Sequence, residues 1–210
     1  MLELNPLLPP GYSPVGPGRL ATVVTCLEMK SRPRGRSPRS LPPPYEVSPF
    51  DQSDLTAYRT LFRKIGENWL WYSRLVMSDE KLLGILDDPL VEVFVLRDGD
   101  EDVGLLELDF REGGECELAF FGLAPNAIGK GLGRALMECA IAFAWAKPIG
   151  RMWVHTCTFD HPSALAFYIR SGFQPYEFQV EVQPDPRLTG HLPRGAAPHI
   201  PLIEGPESAA

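Results

Sequence analysis

Hydrophobic and polar positions along the chain follow two periods. From Leu20 to Met29, "LATVVTCLEM" is rich in β-branched residues and predicts a strand. Between Asp51 and Leu86 the apolar positions fall three and four apart instead. In "DQSDLTAYRTLFRKIG", Leu55, Tyr58, Leu61, Phe62 and Ile65 mark one helix face, and "SDEKLLGIL" opens a shorter helix with Ser78 as its N-cap. Three strand-like runs follow, "LVEVFVLRD", "DVGLLELDF" and "ECELAFFGL". The tight turns "DGDED" and "REGGE" between them imply antiparallel hairpins. Next, "GRALMECAIAFAWA" is helical and apolar on nearly all sides, the mark of a helix buried on two faces. "RMWVHTCT" is a strand, and "DHPSALAFYIRSG" is a helix with Pro162 at its first position and Gly172 at its C-terminal cap. "FQPYEFQVEV" is a strand, "DPRLTGHLPRGAAP" is irregular, and "HIPLI" (199–203) is read as one last strand. The order predicts an α/β unit with a mixed sheet of six to seven strands and about four helices.

Composition adds boundaries. A chain of 210 residues that is 44% hydrophobic suits one domain with a substantial core. Half of the 22 prolines fall in the first 50 residues. They delimit an N-terminal arm (1–19) and a Pro/Arg-rich linker (31–50) inside the main unit (20–182), with an irregular C-terminal extension (183–210). The linker's Arg32, Arg34, Arg36 and Arg39 are read as solvated charge, with an anion grip or a partner contact as the rival readings. The sequence holds no apolar run long enough to span a bilayer, and "MLELNPLLPPGYSP" lacks the charged and hydrophobic regions of a signal peptide, so a soluble cytoplasmic protein away from membranes is expected. Cys26, Cys116, Cys139 and Cys157 lack CxxC spacing, which suggests neither a zinc site nor a disulfide framework. A net charge of -7 argues against nucleic-acid binding and favours a small or cationic partner; a homodimer stays open.

The chemistry gathers around "APNAIGKGLGRALM", where Gly129, Gly131 and Gly133 precede the apolar helix. Glycines let backbone amides approach an anion closely, and a helix start adds partial positive charge. The P-loop pattern fails, because Ala124 stands where its first glycine belongs and Gly131 follows Lys130 in place of Ser or Thr. The dinucleotide fingerprint fails too, with Arg134 or Leu136 at its third glycine. The stretch resembles motif A of the GCN5-related N-acetyltransferase (GNAT) superfamily, of bacterial type, which pairs a strand-end proline, here Pro125, with glycines at these spacings. A second block, "HPSALAFYIRSGF", is similar to the family's later motif, with Ala164, Tyr168, Gly172 and Phe173 in register and His161 in place of the usual Asn.

The resemblance, which runs from Leu20 to Val182, implies a GNAT fold and transfer of an acetyl group from acetyl-CoA, or another acyl-CoA, to a primary amine of a small molecule or protein. It implies that the backbone near Phe121, Gly122 and Leu123 splays to bind pantetheine, and that Gly129, Lys130, Gly131, Leu132, Gly133 and Arg134 hold the pyrophosphate. Ile128 stands where the family carries Arg or Gln, which leaves the cradle to backbone amides with Lys130 or Arg134 adding charge. His161 caps its helix or touches pantetheine. A Lys-like amine is neutral in only about one molecule in 2,500 at pH 7, so a base is expected. By period two Glu115 and Glu117 share one strand face, with Leu118 and Phe120 on the other. Resemblance selects Glu117 as base, with Glu107 in reserve, and Tyr168 as acid for the leaving thiolate. In "ENWLWYSRL", Trp71 and Tyr72, with Trp69, form an aromatic acceptor wall and Arg74 an anion clamp, one tryptophan being ordinary core. His155 is read as a core histidine. The rival function is an inactive acyl-CoA sensor, favoured by Ile128 and His161.

Overall fold

A computed structural model of the chain describes residues 6–33 and 41–204. Seven strands form one sheet in the order β2-β3-β4-β5-β6-β1-β7. They are β1 (Arg19–Met29), β2 (Tyr45–Pro49), β3 (Val91–Asp98), β4 (Glu101–Asp109), β5 (Glu115–Leu123), β6 (Arg151–Cys157) and β7 (Gln174–Pro184). Each neighbouring pair is antiparallel except β5 and β6. Among the described residues, four α-helices flank it: α1 (Leu55–Gly66), α2 (Asp79–Leu86), α3 (Leu132–Ala144) and α4 (Ala164–Ser171).

Local chemistry accounts for the helix ends. The Asp54 carboxylate accepts from the Ala57 N–H at 2.8 Å and the Ser78 hydroxyl from the Lys81 N–H at 3.3 Å, caps worth about 1 kcal/mol each. Gly172 closes α4 at φ +115°, which a side chain would resist. Tyr58, Leu61, Phe62 and Ile65 of α1 are buried, as their spacing predicts. Phe62 meets Phe120 at 4.8 Å on one sheet face, while Phe143 of α3 stacks on Phe94 at 4.5 Å on the other. The sheet is therefore covered on both sides at its centre, and its β-rich core is continuous with both helix layers.

Two expectations need correction. Residues 45–49 of the expected linker are an edge strand, paired from Tyr45↔Asp98 to Pro49↔Phe94. An edge position tolerates Pro49, which proline-based reading takes for loop; Arg34, Arg36 and Arg39 lie outside the described residues. The last strand read at 199–203 is not formed, because the carbonyls of Ile200 and Pro201 accept from the Arg187 guanidinium instead of a neighbouring strand.

Candidate active site

The site begins as a defect in the sheet. β5 and β6 pair only from Glu115↔Arg151 to Glu117↔Trp153, after which β5 continues to Leu123 with β4 alone beside it. The register of β5 against β4 shifts between Leu108↔Leu118 and Glu107↔Phe120, so Ala119 is a bulge. A bulge bends its strand and reverses the alternation beyond it. Phe120 therefore lies on the same face as Glu117, contrary to the period-two expectation, and packs under α1 and Trp71 (5.3 Å).

The splayed strands open a cavity of about 700 Å³. At one end it reaches Leu123, Ile128 and Gly133; at the other it meets Asp109, Glu117 and His155 under a roof formed by residues 69–74. Gly129 and Gly131 adopt φ +83° and +78°, and a Cβ at either would meet nothing within 4 Å, so backbone conformation is what excludes other residues here. Gly131 caps α3 without a side-chain hydrogen bond, and the first turn of α3 holds no acidic residue. The amides of Leu132, Gly133 and Arg134 thus lack intrahelical acceptors at a positive helix end, which fits a pyrophosphate. Charge near the loop is partly engaged: Lys130 Nζ stands 3.9 Å from Asp98, and Arg134 Nε donates to Glu138 at 3.1 Å. Ile128 is 44% exposed at the cavity edge.

Glu117 lines the cavity, and its carboxyl is pushed up to about 7, first by burial and then by the nearby Asp109 and Glu107 carboxylates; Arg74 and Arg111 oppose this. Burial also opposes ionisation of Asp109, but its hydrogen bonds with Arg111 prevail and hold it below the ordinary carboxylate range. His155 Nδ1 lies 3.7 Å from Glu117 Oε1 with its side chain 54% exposed. This corrects the reading of His155 as core; its alternation with Trp153 in "RMWVHTC" was the signal available. Glu107, the reserve base, is fully buried, accepts from the Tyr58 hydroxyl at 2.5 Å and pairs with Arg74. Arg74 lines the cavity while one of its terminal nitrogens pairs with this internal carboxylate, and its guanidinium sits 5.1 Å over the Phe120 ring.

Trp71 and Tyr72 do line the cavity. Trp71 fills the space that a Cβ on Gly66 would take, its ring lies beside Gly122, and its Nε1–H donates to Asp160 at 3.3 Å. Tyr168 enters from α4 beside Phe121, only 8% exposed, its phenol pushed upward by burial and by Asp160. Phe121 stacks on Phe167 at 5.7 Å. His161 accepts from the Ser163 N–H at 3.1 Å ahead of α4 and lines the same cavity.

A family model described as the acetyltransferase (GNAT) family matches residues 53–173. The chain belongs to the GNAT family. Its members' fold recurs in solved structures. An acetyltransferase from Thermus thermophilus aligns at 22% identity and TM-score 0.50, covering 67% of this chain and 96% of its own. A GCN5-related N-acetyltransferase from Sphaerobacter thermophilus aligns at 13% identity and TM-score 0.55, covering 80% of this chain and 52% of its own length. An aminoglycoside acetyltransferase from an uncultured soil metagenomic sample, in complex with trehalose, gives 20% identity and TM-score 0.51 over 61% of this chain and 87% of its own. At these identities the likeness is one of fold. No curated protein matches the chain by sequence. GNAT membership supports acyl transfer as the chemistry. Among the described residues, no helix is long and apolar enough to cross a membrane.

Proposed function

We propose that this GNAT protein is an N-acyltransferase that moves an acetyl group, or another acyl group, from acyl-CoA to a primary amine. The observation that carries the reading is a single cavity holding a carboxyl poised at neutrality, Glu117, and a phenol that keeps its proton, Tyr168, between an anion cradle and an aromatic roof. Acyl-CoA supplies the acyl group as a thioester. The amides of Gly129 to Arg134 hold its pyrophosphate, and the edge of Phe121 to Leu123 freed by the splay offers backbone groups to its pantetheine arm, with Ile128 and His161 beside it. Glu117 takes a proton from the acceptor's ammonium, which a carboxylate of ordinary pKa would do poorly, and the neutral amine so formed attacks the thioester carbonyl. His155 stands next to Glu117 at the exposed mouth, 3.7 Å away. Tyr168 holds a proton at its hydroxyl for the departing sulfur. Trp71 and Tyr72 shape the acceptor end, while Arg74 acts there through Glu107 and Phe120.

The acceptor is a small molecule or a protein amine. The aminoglycoside acetyltransferase among the fold relatives supports an amine-bearing acceptor for this architecture. The domain runs from 20 to 182, with residues 185–201 folded onto it, in a cytoplasmic protein. Incubation with acetyl-CoA and a panel of amines, with titration of released thiol, tests the reading. Amine-dependent thiol release is expected. Tight CoA binding without release across the panel would replace the enzyme with an acyl-CoA sensor, the reading that Ile128 in the cradle favours.

A further inference from the structure

Residues 185–204, which follow β7, lie outside the family match and hold neither helix nor strand, yet they are built around one buried cation. The Arg187 side chain is 2% exposed. It bonds the Asp185 carboxylate through Nε (3.0 Å) and one terminal nitrogen (2.7 Å), and it donates to the carbonyls of Ala196 (3.3 Å), Ala197 (3.3 Å), Ile200 (2.8 Å) and Pro201 (3.1 Å). One guanidinium thus gathers four carbonyls that no strand or helix would satisfy, and wraps residues 185–201 into a compact loop.

That loop is applied to the roof of the cavity. Leu192, Ala196, Ala197 and Ile200 form a second apolar cluster with Leu20, Phe159 and Leu70. Leu70 belongs to the roof and has φ +58°, a left-handed conformation that a leucine keeps only where its surroundings hold it. On either side of Leu70 the roof's rings meet rings from the loop: His199 lies edge-on to Trp69 at 5.5 Å, and His191 stacks on Tyr72 at 6.0 Å and 4°. Tyr72 is further tied by its hydroxyl to Gln183 at 3.2 Å. Trp69, Leu70, Tyr72 and Phe159 all line the cavity.

We infer that residues 185–201 are a cap that sets the shape of the acceptor end of the cavity, with Arg187 as its positioning residue and His191 and His199 as its contacts on the roof. The inference rests on the acyltransferase reading for its kinetic consequence alone. The cap's ring contacts fall on Trp69 and Tyr72 of the roof, so its effect is expected on acceptor binding ahead of acyl-CoA binding.

The test uses the full chain with Arg187→Met, the paired change His191→Ala with His199→Ala, and the paired change His191→Phe with His199→Phe, which keeps rings at both contacts. Hydrogen exchange is followed at the amides of residues 67–77, and KM and kcat are measured for the acceptor together with Kd for acetyl-CoA. In Arg187→Met and the alanine pair, roof amides should exchange faster and acceptor KM should rise about tenfold, with kcat and acetyl-CoA Kd within about threefold of wild type. The phenylalanine pair should restore both. Should Arg187→Met fail to fold, the alanine pair, which changes only exposed side chains, decides alone. Unchanged roof exchange in folded variants overturns the cap, as does an equal loss of acetyl-CoA binding. Failure of the acyltransferase reading looks different: wild type releases no thiol while the exchange result stands.

Discussion

Replacing Glu117 with glutamine should slow the enzyme and stabilise the protein at alkaline pH, and both effects come from one carboxyl. Its pKa of about 7, against an ordinary 4.5, means that the folded protein binds this proton more tightly than the unfolded chain does. Stability is unaffected below pH 4.5, falls as pH rises to 7, and carries the full penalty above that. The gap between the two values corresponds to about 3 kcal/mol at pH 8 for a side chain 24% exposed. A neutral amide at this position carries no such penalty, so urea denaturation should show Glu117→Gln matching wild type near pH 4 and exceeding it by up to about 3 kcal/mol at pH 8. The same titration governs activity. A group at pKa 7 is ionised in about a tenth of molecules at pH 6 and about nine tenths at pH 8, so kcat/KM should rise about tenfold across that interval. Deprotonation of the acceptor adds its own slope, but only the Glu117 contribution disappears in the variant, along with about 10² to 10⁴ of rate. A wild-type profile lacking any limb near pH 7, together with equal stability of the two proteins at pH 8, would refute the argument, because it would show that neither burial nor Asp109 and Glu107 perturb this carboxyl.

Other substitutions probe separate parts of the site. Tyr168→Phe removes the proposed acid and should lower kcat by about 10² to 10³ with acetyl-CoA Kd unchanged by calorimetry; an unchanged kcat would return Tyr168 to packing. Gly122→Ala would drive a Cβ into Ile65 Cγ2 and place it 3.2 Å from the Trp71 ring, and this overpacking should cost about 1–3 kcal/mol, read as a lower Tm. Arg74→Met strands the Glu107 carboxylate in the core and should cost about 3–5 kcal/mol in urea denaturation, most of it recovered by adding Glu107→Gln. Lack of recovery would mean that packing of Arg74 over Phe120, and not its charge, is what matters.

How much of this was legible beforehand differs between elements. The faces of α1, the Ser78 cap, the Gly172 stop and the glycine loop depend on residues within a turn or two of each other, and period, capping and left-handed glycine geometry are written in that local spacing. Both superfamily motifs sit at such joints, which is why the fold was readable. Tertiary structure decided what depends on strands and loops distant in the chain. The bulge at Ala119 exists only in register with β4, and it turned Phe120 to the Glu117 face where simple alternation predicted the opposite. The pairing of Arg74 with Glu107 depends on segments far apart in the chain, and His155 looked buried until the end of the β5–β6 ladder left it at an open mouth. Likewise Arg187 reads in sequence as one charge in an irregular tail, and becomes the centre of a cap only when four carbonyls converge on it. Local spacing therefore set where the elements and the anion cradle lie. Which charges remain available for chemistry was decided by burial and partner choice, quantities that no single stretch of sequence contains.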